Sequence, residues 1–279
     1  MTAAEHAWYP RTTCGDHCVR SGLGQPGRRT VEAIRSVRRI ALTALLLTML
    51  PLLALPLPAH RRVKRIYCRV VLGCLGVRVV RSGGPIRNLR GMLVVSNHVS
   101  WVDVFAIGAV LPGAFVARAD LIDWPAVGLA ARTAGIIPIE RRLLRALPDV
   151  VDAVVSRLRT GHTVVVFPEG TTFCGIDHGT FHPALFQAAV ETSRPVQPLR
   201  LTYRHRNGTP STATAFLGED SLWASLRRVV RARYTAVHVE VRPLQLPGQS
   251  RSELATRCHR AVLLAQDEQT APGRELNAR

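Results

Sequence analysis

The chain has 279 residues, of which 47% are apolar and 20% are charged. This length is sufficient for one large domain or two small ones, and the apolar content excludes a globally disordered chain. The formal net charge of +18 favours a negatively charged partner, either nucleic acid or an anionic membrane surface.

The distribution of the charge separates these two partners. Residues 31–90 carry 12 Lys and Arg residues and one acid, Glu32, whereas residues 91–200 carry nine basic and nine acidic residues. The positive charge is therefore concentrated around the most hydrophobic stretch, not over a folded recognition surface of the kind that nucleic-acid binders use. We predict membrane lipids, and no nucleic acid, among the partners.

The N-terminal part has two predicted regions. Residues 1–30 have no hydrophobic period and are predicted to be a disordered leader. Residues 31–75 are predicted to form a membrane-anchoring helical hairpin, because an uncharged run over 40–59 is followed by the basic, partly apolar segment 61–75. Pro51 limits the first helix to roughly 17 Å, so insertion into one leaflet and a full span both stay open.

Residues 76–279 are predicted to form one α/β domain, a mixed, mostly parallel sheet flanked by helices, because short β-branched runs alternate with helical patterns. The predicted strands are 76–80, 92–96, 114–118, 136–139, 163–167, 196–203, 213–217 and 236–241. The predicted helices are 101–111, 125–134, 148–160, 183–193, 221–232 and 252–266.

The six cysteines do not form the dense pattern of a secreted disulfide scaffold. Cys14, His17 and Cys18 lie close enough in sequence to suggest metal ligands. A second ligand pair at zinc spacing is missing, so we predict reduced thiols and no metal site.

The first segment with candidate chemistry directly follows a predicted strand and contains His98 and Asp103. Two residues five apart lie about 140° apart on a continuous helix and cannot pair there. They meet if His98 lies in the turn and Asp103 in the first turn of the next helix. The carboxylate then orients the imidazole, whose other nitrogen becomes a general base. The alternative is a turn-capping Asn97 with a solvated His98.

Three further segments begin or end predicted strands. Arg141 follows the strand 136–139 and is suited to bind a phosphate with two hydrogen bonds, although a solvated loop Arg is the alternative. Glu169 and Gly170 follow three valines; a buried Glu needs partners, and Gly lets backbone N–H groups approach an anion. The fourth segment, 196–199, begins a strand and is suited to form an apolar wall.

The order and spacing of these four segments over residues 76–245 resemble the lysophosphatidate (1-acyl-sn-glycerol-3-phosphate) acyltransferase family, with HxxxxD, GxxxIxR, FPEGT and a proline block in turn. The resemblance implies that His98 is the catalytic base with Asp103 as its partner, and that Arg141, Glu169, Gly170 and Thr171 bind the acceptor. It implies acyl-CoA or acyl carrier protein as co-substrate, no cofactor, and phosphatidic acid as product. With the hairpin, it places the enzyme on the cytoplasmic face of the cell membrane.

Two departures from the family pattern concern the acceptor. Family members that use phosphate acceptors often have Arg-Ser after FPEGT, where this chain has Thr172 and Phe173, and Pro138 replaces a common aromatic residue. Members whose FPEGT block ends in Thr-Thr, as Thr171 and Thr172 do here, or in Thr-Ser include enzymes that acylate lyso-ornithine lipids. A lyso-ornithine lipid or another lysolipid is therefore the alternative acceptor. A second alternative is a non-enzymatic basic protein that binds membrane surfaces or nucleic acid.

Overall fold

The computed structural model describes residues 10–20, 29–49, 60–86, 89–119, 135–140, 143–218 and 220–263. Within these residues, seven strands form one sheet. The strands are β1 (Val77–Gly83), β2 (Leu93–Ser96), β3 (Ala114–Arg118), β4 (Ile137–Ile139), β5 (Val164–Val166), β6 (Val196–Arg204) and β7 (Thr235–Val241). Their order across the sheet is β1-β7-β6-β2-β5-β3-β4.

The sheet is mixed and mostly parallel, as predicted. Every neighbouring pair is parallel except β6 and β7. The central strands β2 and β5 are buried along their whole length, which is why their apolar runs show no alternation. Because β2, β5, β3 and β4 run in one direction, the segments that follow them all begin at the same edge of the sheet.

Helices cover both faces of the sheet. They are α1 (Asp16–Arg20), α2 (Arg29–Thr48), α3 (His60–Leu75), α4 (Val102–Gly108), α5 (Leu147–Arg159), α6 (Gln187–Glu191), α7 (Leu222–Arg231) and α8 (Arg251–Leu263). Buried residues of α3, α4 and α7 share one core with Val94 and Leu199 of the sheet. Those of α5, α6 and α8 share a second core with Leu93 and Val95. The alternation of β2 side chains between the two cores places the sheet in the middle layer.

Helix α5 shows how local sequence produces one of these helices. Pro148 lies in its first turn, where backbone N–H groups have no acceptor within the helix. The N–H that proline lacks therefore costs no helical hydrogen bond. A stripe that includes Val151, Val154 and Leu158 faces the core. Gly161, at φ +81°, follows the helix end in the left-handed conformation that terminates helices.

The predicted strand at 213–217 is wrong. The segment is buried but irregular, with Ala215 N–H donating to Thr212 O at 3.0 Å and Phe216 N–H to Val99 O at 3.0 Å. Its backbone groups therefore pair with a turn and with the loop after β2, and its apolar residues fill the core from a loop. The predicted helix 183–193 is a 3₁₀ turn, Ala184–Phe186, followed by the short α6. The predicted helix 125–134 lies outside the described residues.

Helices α2 and α3 pack on the α/β layers and on each other. The Arg39 guanidinium of α2 donates to Val230 O at 2.8 Å and Ala232 O at 2.7 Å, at the end of α7. Leu72 and Leu75 of α3 are buried in the first core, and the Tyr67 hydroxyl donates to Leu46 O at 3.1 Å. Membrane anchoring by these helices stays a prediction.

Two findings bear on the N-terminal predictions. None of the helices that the structure describes is both long and apolar enough to cross a bilayer. Residues 10–20, inside the predicted disordered leader, instead contain α1 and the buried side chains of Cys14 and Val19. A disordered segment was expected because these residues show no hydrophobic period. Their ordering comes from contacts with distant residues of the α/β domain.

Candidate active site

The structure brings together the histidine and the aspartate that the sequence analysis paired. His98 lies in the turn after β2, and Asp103 lies in the first turn of α4. His98 Nδ1 is 2.9 Å from Asp103 Oδ2, and since an ionised carboxylate only accepts, Nδ1 carries the proton. The His98 side chain is 13% exposed. The ring is therefore held with Nε2 as the nitrogen that can accept a proton.

Asp103 is completely buried, yet its carboxylate is surrounded by hydrogen-bond donors. Besides His98, Oδ2 accepts from the backbone N–H groups of Val99 at 2.7 Å and Ser100 at 2.9 Å. Oδ1 accepts from the Tyr203 hydroxyl at 2.5 Å. A buried charge needs such compensation. The same bonds fix the loop between β2 and α4, so the carboxylate positions both the ring and its backbone.

Two further residues support this pair: sequence reasoning missed Tyr203 and predicted Asn97 only as an alternative turn cap. Tyr203, in β6, is buried, and burial raises the pKa of its hydroxyl well above the ordinary value, with the Asp103 charge as a second cause. It is therefore a neutral donor. Asn97 exchanges two hydrogen bonds with the backbone of Leu201, at 2.8 and 3.0 Å, which extends the pairing of β2 with β6 beyond the strand end. A buried Tyr hydroxyl on a strand was the available signal, since such groups need a partner.

One face of the imidazole is covered by an aromatic ring. Phe167, the residue after β5, stacks on His98 with ring centroids 4.0 Å apart and planes 14° from parallel. Phe115 of β3 packs against Phe167 at 6.3 Å. These rings give one side of His98 an apolar wall and restrict the imidazole to the plane that Asp103 requires.

Glu169 connects the loop after β5 to the histidine. Its Oε2 accepts from the His98 backbone N–H at 2.6 Å, and Oε1 accepts from Gly179 N–H at 3.1 Å. Only 3% of the residue is exposed. Burial raises the pKa of Glu169 to about 8, although the two N–H donors lower it. Glu169 thus holds the backbone of His98 in place, and its predicted role in acceptor binding stays a prediction.

The other predicted acceptor residues are placed as follows. Gly170 has φ +71° and donates its N–H to Phe167 O at 3.1 Å, closing a tight turn that a side chain would strain. Thr171 follows it and is half-buried. Arg141 lies outside the described residues. The strand that precedes Arg141, β4, ends at the same edge of the sheet as β2 and β5.

Comparison with known proteins identifies the family. A family model described as Acyltransferase matches residues 78–202. A lyso-ornithine lipid O-acyltransferase of Pseudomonas aeruginosa is 34% identical over 221 residues, which cover 77% of this chain and 82% of the relative. A 1-acyl-sn-glycerol-3-phosphate acyltransferase of Neisseria meningitidis serogroup B is 34% identical over 172 residues, which cover 62% of this chain and 67% of the relative.

A solved structure has the same fold. The 1-acyl-sn-glycerophosphate acyltransferase PlsC from Thermotoga maritima superposes with a TM-score of 0.64 at 20% identity, over 88% of this chain and 99% of that chain. The residues that match the acyltransferase family model include His98, Asp103 and Glu169. This chain belongs to the acyltransferase family. The predictions of the family and of an enzyme are confirmed, and the non-enzymatic alternative is set aside.

Glu169 generates a prediction about stability and pH. Since its pKa is raised from 4.5 to about 8 on folding, the folded protein keeps a proton in this range that the unfolded chain has released. The stability that this protonation contributes is complete below about pH 4.5 and is lost as the pH rises to about 8. Glu169→Gln has no such group. We expect the free energy of unfolding of wild type minus that of Glu169→Gln, measured with urea, to decrease as the pH rises between these values. A difference that stays constant with pH contradicts the prediction.

Proposed function

We propose that this enzyme transfers a fatty acyl group from an acyl thioester, carried by coenzyme A or acyl carrier protein, to the hydroxyl of a lysolipid. The observation that carries the proposal is the bond of 2.9 Å between His98 Nδ1 and Asp103 Oδ2, inside the segment that matches the family model. The two relatives described above, a lyso-ornithine lipid enzyme and a 1-acyl-sn-glycerol-3-phosphate enzyme, support a lysolipid acceptor.

In the proposed reaction, His98 Nε2 removes the proton from the acceptor hydroxyl while the oxygen attacks the thioester carbonyl carbon. The tetrahedral intermediate then collapses, the carbon–sulfur bond breaks, and the thiol leaves with the proton that Nε2 carried. The products are an ester and a free thiol, and no covalent enzyme intermediate is formed. A positioned base of this kind contributes about 10²–10⁴ to the rate.

Asp103 has two roles in this reaction. Its negative charge stabilises the imidazolium that forms when His98 accepts the proton, and its bond to Nδ1 maintains the productive ring orientation. Backbone N–H groups near Gly170, or at the start of α4, are the candidate donors to the oxyanion. Glu169 and Tyr203 act through the backbone of His98 and the carboxylate of Asp103, so we assign them positioning roles.

The first candidate acceptor is 1-acylglycerol-3-phosphate, with phosphatidic acid as the product. Arg141 is the candidate phosphate ligand because it follows β4, whose carboxyl end lies at the edge of the sheet where β2 and β5 end. Guanidinium groups bind phosphate oxygens with two parallel hydrogen bonds. The Neisseria relative named for this acceptor supports this candidate.

The second candidate acceptor is a lyso-ornithine lipid. At the two positions where family members with phosphate acceptors often have Arg-Ser, the Thr172 hydroxyl donates to the Phe216 carbonyl, and Phe173 is buried. Neither side chain is therefore available to bind a phosphate. The Pseudomonas relative, whose match covers more of this chain than the Neisseria match does, carries the lyso-ornithine name and supports this candidate.

We further propose that α2 and α3 bind the cytoplasmic surface of the cell membrane. Arg39 holds one side of α2 against α7, and the outward side presents apolar residues such as Ile34, 70% exposed, and Leu45, 61% exposed. These two residues are eleven apart, so they lie within about 20° on one helical face. An exposed apolar face on an arginine-rich helix is suited to the interface of an anionic bilayer.

Substitution of the proposed base tests the reaction. We expect His98→Ala to lower kcat/KM at least about 100-fold, and Asp103→Asn to lose most of the activity, because the base or its stabilising charge is removed. His162→Ala, at an exposed histidine before β5, is the matched control and retains activity. The assay follows thiol release from an acyl thioester when a lysolipid is added, and circular dichroism checks the fold. Activity of His98→Ala within twofold of wild type refutes the proposal.

A panel of acceptors tests the two candidates. If Arg141 binds a phosphate in the ground state, Arg141→Ala raises KM for lysophosphatidate about tenfold, with kcat less affected, and changes KM for lyso-ornithine lipid less. Arg145→Ala, at an exposed arginine nearby, leaves both unchanged. An equal loss with every acceptor indicates a structural role for Arg141. Activity on lyso-ornithine lipid but not on lysophosphatidate selects the second candidate.

Introduction of negative charge on the exposed face of α2 tests membrane binding without disturbing the core. We expect Ile34→Glu with Leu45→Glu to weaken partitioning onto phosphatidylglycerol vesicles at least about tenfold, because apolar contact is lost and like charge is added. Leu143→Glu with Leu246→Glu is the matched control, since these residues are 58% and 68% exposed outside α2 and α3. Equal binding of both variants in a sedimentation assay shows that another surface binds the membrane.

A further inference from the structure

Three cysteine sulfurs lie close together, two from the N-terminal segment and one from the loop after β5. The sulfurs of Cys14, Cys18 and Cys174 all lie within 4.8 Å of one another. Cys14 and Cys18 belong to the N-terminal segment 10–20, and Cys174 belongs to the loop after β5. In a tetrahedral zinc site with Zn–S bonds of about 2.3 Å, two sulfurs are about 3.8 Å apart. Shifts of roughly 1 Å or less therefore bring the three sulfurs to the spacing of a shared ion.

Backbone N–H groups donate to two of the three sulfurs, although burial raises the pKa of the free Cys14 thiol to about 11. The Cys174 backbone N–H donates to Cys14 Sγ at 3.3 Å, and the Asp177 N–H donates to Cys174 Sγ at 3.5 Å. Such N–H···S bonds orient sulfur ligands and stabilise their negative charge. Within the described residues none of the six cysteines forms a disulfide. A disulfide between two of these three cysteines would leave the third as a thiol. A thiophilic metal ion uses all three.

We propose that Cys14, Cys18 and Cys174 form a binding site for Zn²⁺ or a similar thiophilic divalent ion, with a water molecule as fourth ligand. Each thiol releases its proton to solvent when its sulfur binds, so binding at a neutral pH releases up to three protons per ion. His17, the other potential ligand in the N-terminal motif, has an exposed side chain. Sequence spacing alone predicted no metal because the third ligand lies 156 residues beyond Cys18.

The position of the site indicates a structural role. The N-terminal segment lies directly against the loop after β5: a Cβ on Gly170 would come within 2.6 Å of Pro10 Cγ. The Thr212 hydroxyl donates to Cys18 O at 2.8 Å. Phe173, next to Cys174, donates its N–H to His98 O at 2.8 Å. A bound ion therefore connects residues 10–20 to the loop that supports His98, and metal binding itself does not depend on the proposed acyl-transfer reaction.

Metal titration of the full chain tests the site. Wild-type protein, purified and stripped with a chelator, is titrated with Co²⁺ and Zn²⁺. We expect one equivalent to bind, with the thiolate charge-transfer and strong d–d absorption of tetrahedral cobalt, and Zn²⁺ to displace the Co²⁺. Cys14→Ser, Cys18→Ser and Cys174→Ser each weaken binding at least tenfold. Cys258→Ser, which alters a buried cysteine of α8 outside the cluster, is the matched control and binds one equivalent.

A second measurement, the melting temperature, tests the site even if a cysteine variant does not fold. Chelation is expected to lower the melting temperature of wild type and of Cys258→Ser, and added Zn²⁺ to restore it, because the ion binds the folded state. The proposal is overturned if wild type binds less than a tenth of an equivalent and chelation does not change its melting temperature. It is also overturned if Cys174→Ser binds as wild type does, or if intact mass shows a disulfide between two of the three cysteines in freshly purified protein.

Discussion

The arrangement of this site depends on the burial of one carboxylate. Asp103 is inaccessible to water, and its two oxygens accept from His98, Tyr203 and two backbone N–H groups of the preceding loop. A buried charge that lost one of these donors would be strongly unfavourable, so the donors are held where the carboxylate needs them. The loop conformation, the tautomer of His98 and the contact with β6 all follow from this constraint.

The parallel strands explain why the supporting groups meet. Because β2 and β5 are adjacent and parallel, the segments after them emerge side by side. This places Glu169 within 2.6 Å of the His98 backbone N–H and Phe167 on the imidazole ring. Two backbone N–H groups compensate the Glu169 carboxylate only in part, which is why burial keeps its pKa at about 8. The loop after β5 therefore supports the loop after β2.

The N-terminal helices α2 and α3 contribute different residues to the fold and to the surface. Arg39 donates to the end of α7 and Leu72 lies in the core, while Ile34 and Leu45 remain exposed. A helix fixed on one side by buried hydrogen bonds presents its other side in a defined orientation to a flat surface. The exposed apolar face of α2 thus has a fixed position relative to His98, as an enzyme acting on a membrane-embedded lysolipid would require.

The sequence by itself determined the features that depend on local geometry: the strand before His98, the turn that lets His98 and Asp103 pair, and the helix α5. The alternation of strand and helix patterns along the chain also predicted a mostly parallel sheet. The sequence also indicated the family, because the order and spacing of the four motifs can be read from a single chain. Strand order and register decided the rest. Tyr203 reaches Asp103 across 100 residues, and Cys174 reaches Cys14 across 160. The strand predicted at 213–217 became a loop because its backbone groups found partners in other loops. Local periodicity specifies which face of an element is apolar, whereas the partner of a buried polar group depends on which elements become neighbours in space.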